Sequence, residues 1–399
     1  MGSLDDWLIS AVRRGPDRLA LVGEGRSLTY LELEAEVTRA AESGPAAGAV
    51  AAVPARSDVA FVVQVHALAR AGAAIAPHDP STAPPPLPRR SDAQSVVFTS
   101  GTTAQPRPVE LTRANHEASA LALGERLGLG PDDRWLSCMP LFGVGGLAIV
   151  HRAAIFASAL VVHERFDAER VRAELEDGSV THISLVPTML ERLRRAGMQE
   201  APGLRALLLG GGPIPQGLLD WASERALPVV PTYGMTETAS AVATGRPARP
   251  LSGVAVRIAA GGEILVRGPM VATQGWLRTG DLGRLDTEGR LTIQGRLKDT
   301  IITGGQNVAP LRVEAALETH PAVAEAGVGG LPDPHWGEAV TAFVVVRGKP
   351  SVHELLAHAR ERLQPHEVPK GVKFVDALPR NPAGNLLRSE LRRIESPPR

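Results

Sequence analysis

The chain has 399 residues, 43 Lys plus Arg against 43 Asp plus Glu, and one cysteine, Cys138. That length exceeds one average domain and can bury a sizeable core, and the balanced charge gives no strong field toward nucleic acid or membrane. A single cysteine excludes an intramolecular disulfide framework and suits a reducing compartment, so a cytoplasmic protein is expected. No apolar run reaches the ~18 residues of a membrane span, and no basic-then-apolar leader is present, so neither a span nor a signal peptide is expected. The basic residues are mostly arginine; the four lysines are Lys298, Lys349, Lys370 and Lys373.

Asp6–Arg14 and Ser27–Ala41 carry the spacing of surface helices. Val50–Pro54 reads as a strand, Ala60–Ala71 as a helix with an apolar face, and Gly72–Pro77 as a second strand completing a strand–helix–strand unit. The proline-rich Asp79–Asp92 is a loop or polyproline segment. Ser95–Thr99 is a buried strand feeding SGTTAQPRP, a loop whose hydroxyls and backbone N–H groups suit phosphate. Ala114–Leu127 is helical, and Trp135–Pro140 is a strand leading into LFGVGGLAI. His182–Leu190 and Leu204–Pro213 are a strand–helix and a strand–turn unit, and His182 reads as a core histidine or a base. Val229–Ser240 runs from a strand into a turn and helix start, and Gly253–Val266 supplies strands of a smaller β region.

From Arg278 to Asn307 the pattern is two short strands and turns. The alternation in Arg290–Gln294 is that of a strand, and Gly280, Gly283, Gly289 and Gly295 read as turns. Asp281 and Arg296 each stand beside a glycine on a bend. An Asp there suits a ribose diol and an Arg suits ribose or phosphate; a surface hairpin with a salt bridge is the alternative. Beyond lie helices over Arg312–Glu318 and Val352–Leu363 and strands over Ala322–Gly329, Ala339–Val346 and Val372–Asp376. Together they make an α+β module of about 100 residues.

Thr279–Asp281, Arg296–Lys298 and Gly304–Gly305 match the TGD, GR-x-[DK] and GG motifs of the adenylate-forming (ANL) superfamily. Tyr233, Gly234, Thr236 and Glu237 match its YG-x-TE motif, SGTTAQPRP resembles TSGTTG-x-PKG, and LPRNPAGNLLR resembles LPR-x-x-x-GK-[IL]-x-R. The chain thus resembles the acyl-CoA ligase branch, in the short form of the succinylbenzoate-CoA ligases. The resemblance implies an α/β fold in two parts. A large N-terminal domain over residues 1–297, of stacked α/β subdomains plus a small β subdomain, would be hinged at Lys298 to a small mobile α+β domain over 298–399.

The resemblance also implies a site. Thr99, Ser100, Thr102, Thr103, Gly211, Gly212, Tyr233, Gly234, Thr236, Glu237, Asp281 and Arg296 would hold acyl-AMP or AMP. Tyr233 would lie against the adenine, Thr236 on the α-phosphate, and Glu237 near Mg²⁺ when ATP is bound. Phe142, Gly143, Val186, Gly210 and Met235 would border the acyl pocket. Gly143 replaces a His or aromatic there, and either leaves room or merely makes a turn. Gly304 and Gly305 would line the entrance of the CoA thiol. No protein-held metal site, nucleic-acid partner or membrane partner is expected.

Three departures stand in the phosphate loop, Ala104, Arg107 and Pro108, and a fourth is Asn385 where the family has its catalytic lysine. Losing a cation of that kind raises a phosphoryl-transfer barrier by ~3 kcal/mol or more. The groups implied to grip AMP and admit a thiol remain. The expectation is a non-adenylating ligase, acyl-AMP plus CoA giving acyl-CoA plus AMP, which puts ATP and Mg²⁺ in doubt. A separate adenylating enzyme would supply the acyl-AMP, and the acid would be a bulky hydrophobic one of antibiotic biosynthesis. Such a chain is similar to the thioesterifying ligases of the platensimycin and platencin diterpenoid pathway. Two alternatives stay open: a complete ATP-dependent ligase in which Lys370, Lys373 or an arginine supplies the cation, and an adenylate-binding pseudoenzyme.

Overall fold

A computed structural model describes residues 6–23, 25–99, 107–380 and 386–394. Three sheets organise them. Val50–Pro54, Ala74–His78 and Ser95–Thr99 run parallel, and Arg107–Leu111 closes that sheet as an antiparallel edge. The second sheet is continuous but changes character midway. Its parallel half holds Leu19–Gly23, Ala159–Val162, Arg134–Ser137, His182–Leu185, Ala206–Leu209 and Val229–Met235. From Ser240–Gly245 onward it continues antiparallel through Ala248–Pro250, Leu291–Arg296, Leu277–Leu285, Glu263–Arg267 and Ala255–Ile258.

The parallel half explains itself from composition. Ala159–Val162 (ALVV), His182–Leu185 (HISL) and Ala206–Leu209 (ALLL) are buried at every position, as strands covered by helices on both faces must be. The helices start where side chains can take up orphan N–H groups. Thr29 and Glu32 form a capping box before Tyr30–Glu42, Thr112 and Asn115 one before Arg113–Leu127, and Pro187 opens Pro187–Arg195.

The third sheet takes Ile301–Thr303, Gln306–Val308, Val323–Asp333, Gly337–Val346 and Gly371–Phe374. Helices Pro310–Glu318 and Val352–Arg360 bury Val313, Leu317 and Leu355 against Val308, Val328 and Val340, a core of its own. Among the described residues no helix is long and apolar enough to cross a membrane.

Several elements differ from the sequence reading. Ser27–Ala41 divides at the Thr29 cap into strand Arg26–Thr29 and helix Tyr30–Glu42. Thr236–Thr238 is one 3-10 turn and not a helix start, because Ala239 and Ser240 at φ 51° and 127° send the chain back as strand Ser240–Gly245. Gly280, Gly283 and Gly295 lie within strands rather than at turns. Helix Val144–Phe156 has no periodic signature because it is buried nearly all round.

Candidate active site

The strands His182–Leu185, Ala206–Leu209 and Val229–Met235 pair in register, Leu185 with Leu209 and Leu209 with Pro231. The segments leaving their carboxyl ends therefore lie side by side and make a crevice where open α/β sheets bind ligands. Val186, Gly210, Gly211, Gly212 and the Tyr233–Met235 stretch all sit there. The approach is close enough to demand glycine. A Cβ on Gly210 would lie 2.2 Å from Thr232 Oγ1, and Gly211, at φ +81°, would meet Val186 Cγ1 at 3.2 Å. A Cβ on Gly234 would sit 2.0 Å from Ser240 O, so this glycine answers first to the hairpin it opens. Thr236 and Glu237 occupy the following 3-10 turn, which Ala272 secures by donating its N–H to Glu237 O at 2.8 Å.

On the antiparallel side, Asp281 and Arg296 are direct register partners across strands Leu277–Leu285 and Leu291–Arg296. Neither is on a bend. Gly283, inside its strand, must be glycine because a Cβ would strike Ile264 Cδ1 and Thr292 O, each at 2.7 Å. Asp281 is 4 % exposed. Its Oδ1 lies 3.0 Å from Arg296 Nε, and its Oδ2 accepts from Tyr233 OH at 2.9 Å. Burial pushes the Asp281 carboxyl up, against the pull of Arg296 and Tyr233, and Glu237 adds to the rise while Lys298 opposes it. Burial, with the Asp281 charge added, pushes the Tyr233 phenol up as well, so it stays a donor. Each carboxylate oxygen keeps a second lone pair for a ligand hydroxyl. The pair links the end of the parallel crevice to the antiparallel strands in one small polar cluster.

The AMP-binding enzyme profile matches residues 81–276, and that of the AMP-binding enzyme C-terminal domain matches residues 312–385. A 2-succinylbenzoate–CoA ligase of Bacillus cereus is 35 % identical, with 99 % of each chain covered. The chain belongs to the AMP-binding enzyme family. Within this adenylate-forming superfamily it falls in the acyl-CoA ligase branch, near the 2-succinylbenzoate–CoA ligases. The o-succinylbenzoate CoA synthetase of Bacillus subtilis in complex with its acyl-adenylate intermediate superposes with a TM-score of 0.86 at 31 % identity, 98 % of each chain covered. The same Bacillus subtilis enzyme with ATP and magnesium gives 0.86 at 31 % identity, covering 97 % of this chain and 99 % of that one.

Within this AMP-binding fold, Phe142 and Gly143 follow strand Arg134–Ser137 and precede helix Val144–Phe156. Gly143 is the helix cap at φ −88°, ψ 152°, and a Cβ there would meet nothing closer than Pro140 O at 3.7 Å. Gly143 N–H donates to Pro140 O at 3.3 Å and closes a turn, but neither backbone nor packing requires glycine at this position. Phe142 borders a cleft of about 500 Å³ whose lining includes Cys138, Met139, Phe166 and Met189, with Arg56 and Arg165 exposed at its rim.

Thr99 ends its strand, with its hydroxyl 3.4 Å from Arg107 O. Ser100, Thr102, Thr103 and Ala104 lie outside the described residues, as does Asn385. Arg107 and Pro108, read from sequence as part of the phosphate loop, instead pair with Thr99 and Phe98 on the edge strand Arg107–Leu111. Proline is tolerated on an edge strand, where its missing donor need not break a ladder. Pro108 is thus no sign of a dismantled phosphate site.

Gly304 and Gly305, at φ +54° and +76°, form the turn between Ile301–Thr303 and Gln306–Val308. Gly304 N–H donates to Trp336 O at 2.9 Å, and a Cβ on Gly304 would press on the Trp336 ring at 3.1 Å. Lys370 Nζ stands 4.8 Å over that ring. Among the described residues no hydrogen bond or ion pair joins this turn to Asp281 or the crevice. Lys373, a possible replacement cation from sequence, donates to Ile394 O at 3.1 Å and lies over Phe343, so it is engaged in the small core. His182 begins its strand, at the edge away from the crevice, stacked on Trp135 at 5.1 Å. Burial holds its imidazole down to about 4, so it is a neutral core histidine.

Sequence reasoning missed Arg152, which lies on the unpredicted helix Val144–Phe156 and is 2 % exposed. Its Nη2 donates to Ser240 Oγ at 2.8 Å, and its guanidinium lies 5.5 Å from the Trp135 ring centre. No carboxylate among the described residues pairs with it, its Nε lacks a partner, and burial pulls its pKa down to about 10. The signal was an arginine inside the apolar run GLAIVHRAAIF. Buried cations are rare unless paired.

Proposed function

We propose that the chain is an ATP-dependent acid–CoA ligase that works through an acyl adenylate on an aromatic dicarboxylic acid of the 2-succinylbenzoate type. The observation that carries this reading is Asp281, buried yet open to further hydrogen bonds, holding Tyr233 and Arg296 beside the crevice. In the first step a substrate carboxylate oxygen attacks the α-phosphorus of ATP and pyrophosphate leaves. In the second the CoA thiol, losing its proton, attacks the acyl carbon and AMP leaves. Asp281 accepts from the ribose diol, Arg296 donates to ribose or phosphate, Tyr233 flanks the adenine and Thr236 donates to the α-phosphate. Glu237, a half-exposed carboxylate with no ion-pair partner among the described residues, suits a hard cation held mainly by phosphate oxygens. Mg²⁺ bound there would neutralise charge on the β- and γ-phosphates. Arg152 supplies buried positive charge for the second carboxylate, and Gly304–Gly305 gives the thiol a bare-backbone path. Residues 298–399 swing about Lys298 between the steps.

Asn385 in place of the family lysine favours a second reading, thioesterification of acyl-AMP made by a separate enzyme. That reading also takes in the bulky terpenoid acid and the antibiotic pathway; the similarity to 2-succinylbenzoate–CoA ligases lends it no support. One assay separates the two: acid-dependent ATP–pyrophosphate exchange, followed by AMP release from preformed succinylbenzoyl-AMP and CoA. Both activities are expected. Release without exchange puts the second reading in place of the first, and neither activity leaves an adenylate-binding module.

A further inference from the structure

Between strand Leu291–Arg296 and strand Ile301–Thr303 the chain makes one 3-10 turn, Leu297–Asp299. The last residue of that turn is tied down. Asp299 Oδ2 lies 3.3 Å from Arg388 Nε. Arg388 then forks onto Glu314, donating from Nη2 to Oε2 at 2.9 Å and from Nη1 to Oε1. Nη1 also donates to Val328 O at 2.8 Å, and Val328 N–H donates to Glu314 Oε1 at 2.7 Å. One guanidinium therefore joins the turn to helix Pro310–Glu318, strand Val323–Asp333 and the terminal segment. The side chains of Asp299, Arg388 and Glu314 are 25 %, 16 % and 8 % exposed, so solvent and salt weaken this network less than a surface pair. Lys298, the residue before, is exposed, and its charge is felt by Asp281 on the large sheet.

The fork onto Glu314 already pairs the cation inside the small core. A second carboxylate adds nothing that core needs, and its hold falls on the turn. We propose that Asp299, Arg388 and Glu314 form a clamp that makes the far end of the turn part of the small domain. Rotation between the two parts is then confined to the backbone of Leu297 and Lys298, the few torsions that hinges use. Asp299 and Arg388 are positioning residues for thioester formation, a role that rests on the reading that residues 298–399 swing about Lys298.

The informative variant is Asp299→Ala in the full chain, since it leaves the Arg388–Glu314 fork in place; Arg388→Ala removes both and serves as the folding control. The hydrogen-exchange protection factor of the Thr300 amide, which donates to Leu297 O at 3.3 Å across the turn, should fall about fivefold or more in Asp299→Ala, because the turn opens locally. AMP release from succinylbenzoyl-AMP and CoA should fall about tenfold, with acyl-AMP affinity and melting temperature unchanged, and Asp299→Glu should restore both readouts. Unchanged Thr300 protection overturns the clamp, as does an equal loss of acyl-AMP affinity and AMP release. Lost Thr300 protection in a protein whose parent consumes neither ATP nor acyl-AMP supports the clamp and overturns the functional reading alone.

Discussion

At the scale of single residues, charge and burial make the sharpest demands. Asp281→Ala and Arg296→Ala each remove charge-assisted hydrogen bonds of roughly 1.5–3 kcal/mol, so each should weaken an acyl-AMP analogue about 10- to 150-fold by calorimetry. Unchanged affinity would leave the pair as a structural salt bridge. Arg152→Met keeps bulk and removes charge. It should raise KM for a dicarboxylic acid by about tenfold or more while leaving a monocarboxylic analogue within about twofold, since only the former brings a second charge to pair. Equal effects on both acids would mark Arg152 as a packing residue held by Ser240 and Trp135.

At the scale of elements, the hairpin from Tyr233 to Ser240 shows how tightly the site is built. Gly234→Ala drives a methyl against Ser240 O, and backbone cannot yield as a side chain does. The substitution should cost about 1–3 kcal/mol, and a thermal melt should show a drop of about 2–4 °C per kcal/mol. Gly143→Ala makes the opposite case, since its Cβ would make only an ordinary contact, with Pro140 O at 3.7 Å. Its melting temperature should stay within about 1 °C while KM for the acid shifts, because only the ligand would notice the methyl.

Over the whole molecule, two couplings should be visible. Lys298→Pro stiffens the connection between the large and small sheets, and should slow thioester formation about tenfold or more while acyl-AMP affinity is kept. The second coupling is acid lability. His66, His116 and His151 are buried among the helices of the large part, with burial holding His66 at about 4, His116 at about 3 and His151 well below its ordinary value. These folded values lie below the unfolded one of 6.5, so the unfolded chain binds more protons and stability falls as pH drops below 6.5. For His66 and His116 the loss is on the order of 3–5 kcal/mol each once pH reaches their folded values. Glu318 in the small part, pushed up to about 7 by burial, works the other way, gaining stability as pH falls from 7 toward 4.5. Separate melts of the two parts should diverge on acidification, and His116→Asn should flatten the acid limb of the large one.

The sequence by itself determined the class and most of the parts. Runs such as ALLL and SVVF could only be buried strands, and the TGD, YG-x-TE and GR motifs carried the adenylate family because short polar patterns between glycines survive without long-range context. What it could not decide was where those residues stand relative to one another. Asp281 and Arg296 read as two residues on two bends, and pairing register made them neighbours on adjacent strands. Arg107 and Pro108 read as a damaged loop, and sheet pairing turned them into an ordinary edge strand. Arg152 was hidden because a helix buried all round has no amphipathic period, and the Arg388 clamp because its partners are 74 and 89 positions away. Local composition encodes which element a segment becomes; only tertiary packing sets which distant charges meet, because that pairing energy exists only once the chain has folded around them.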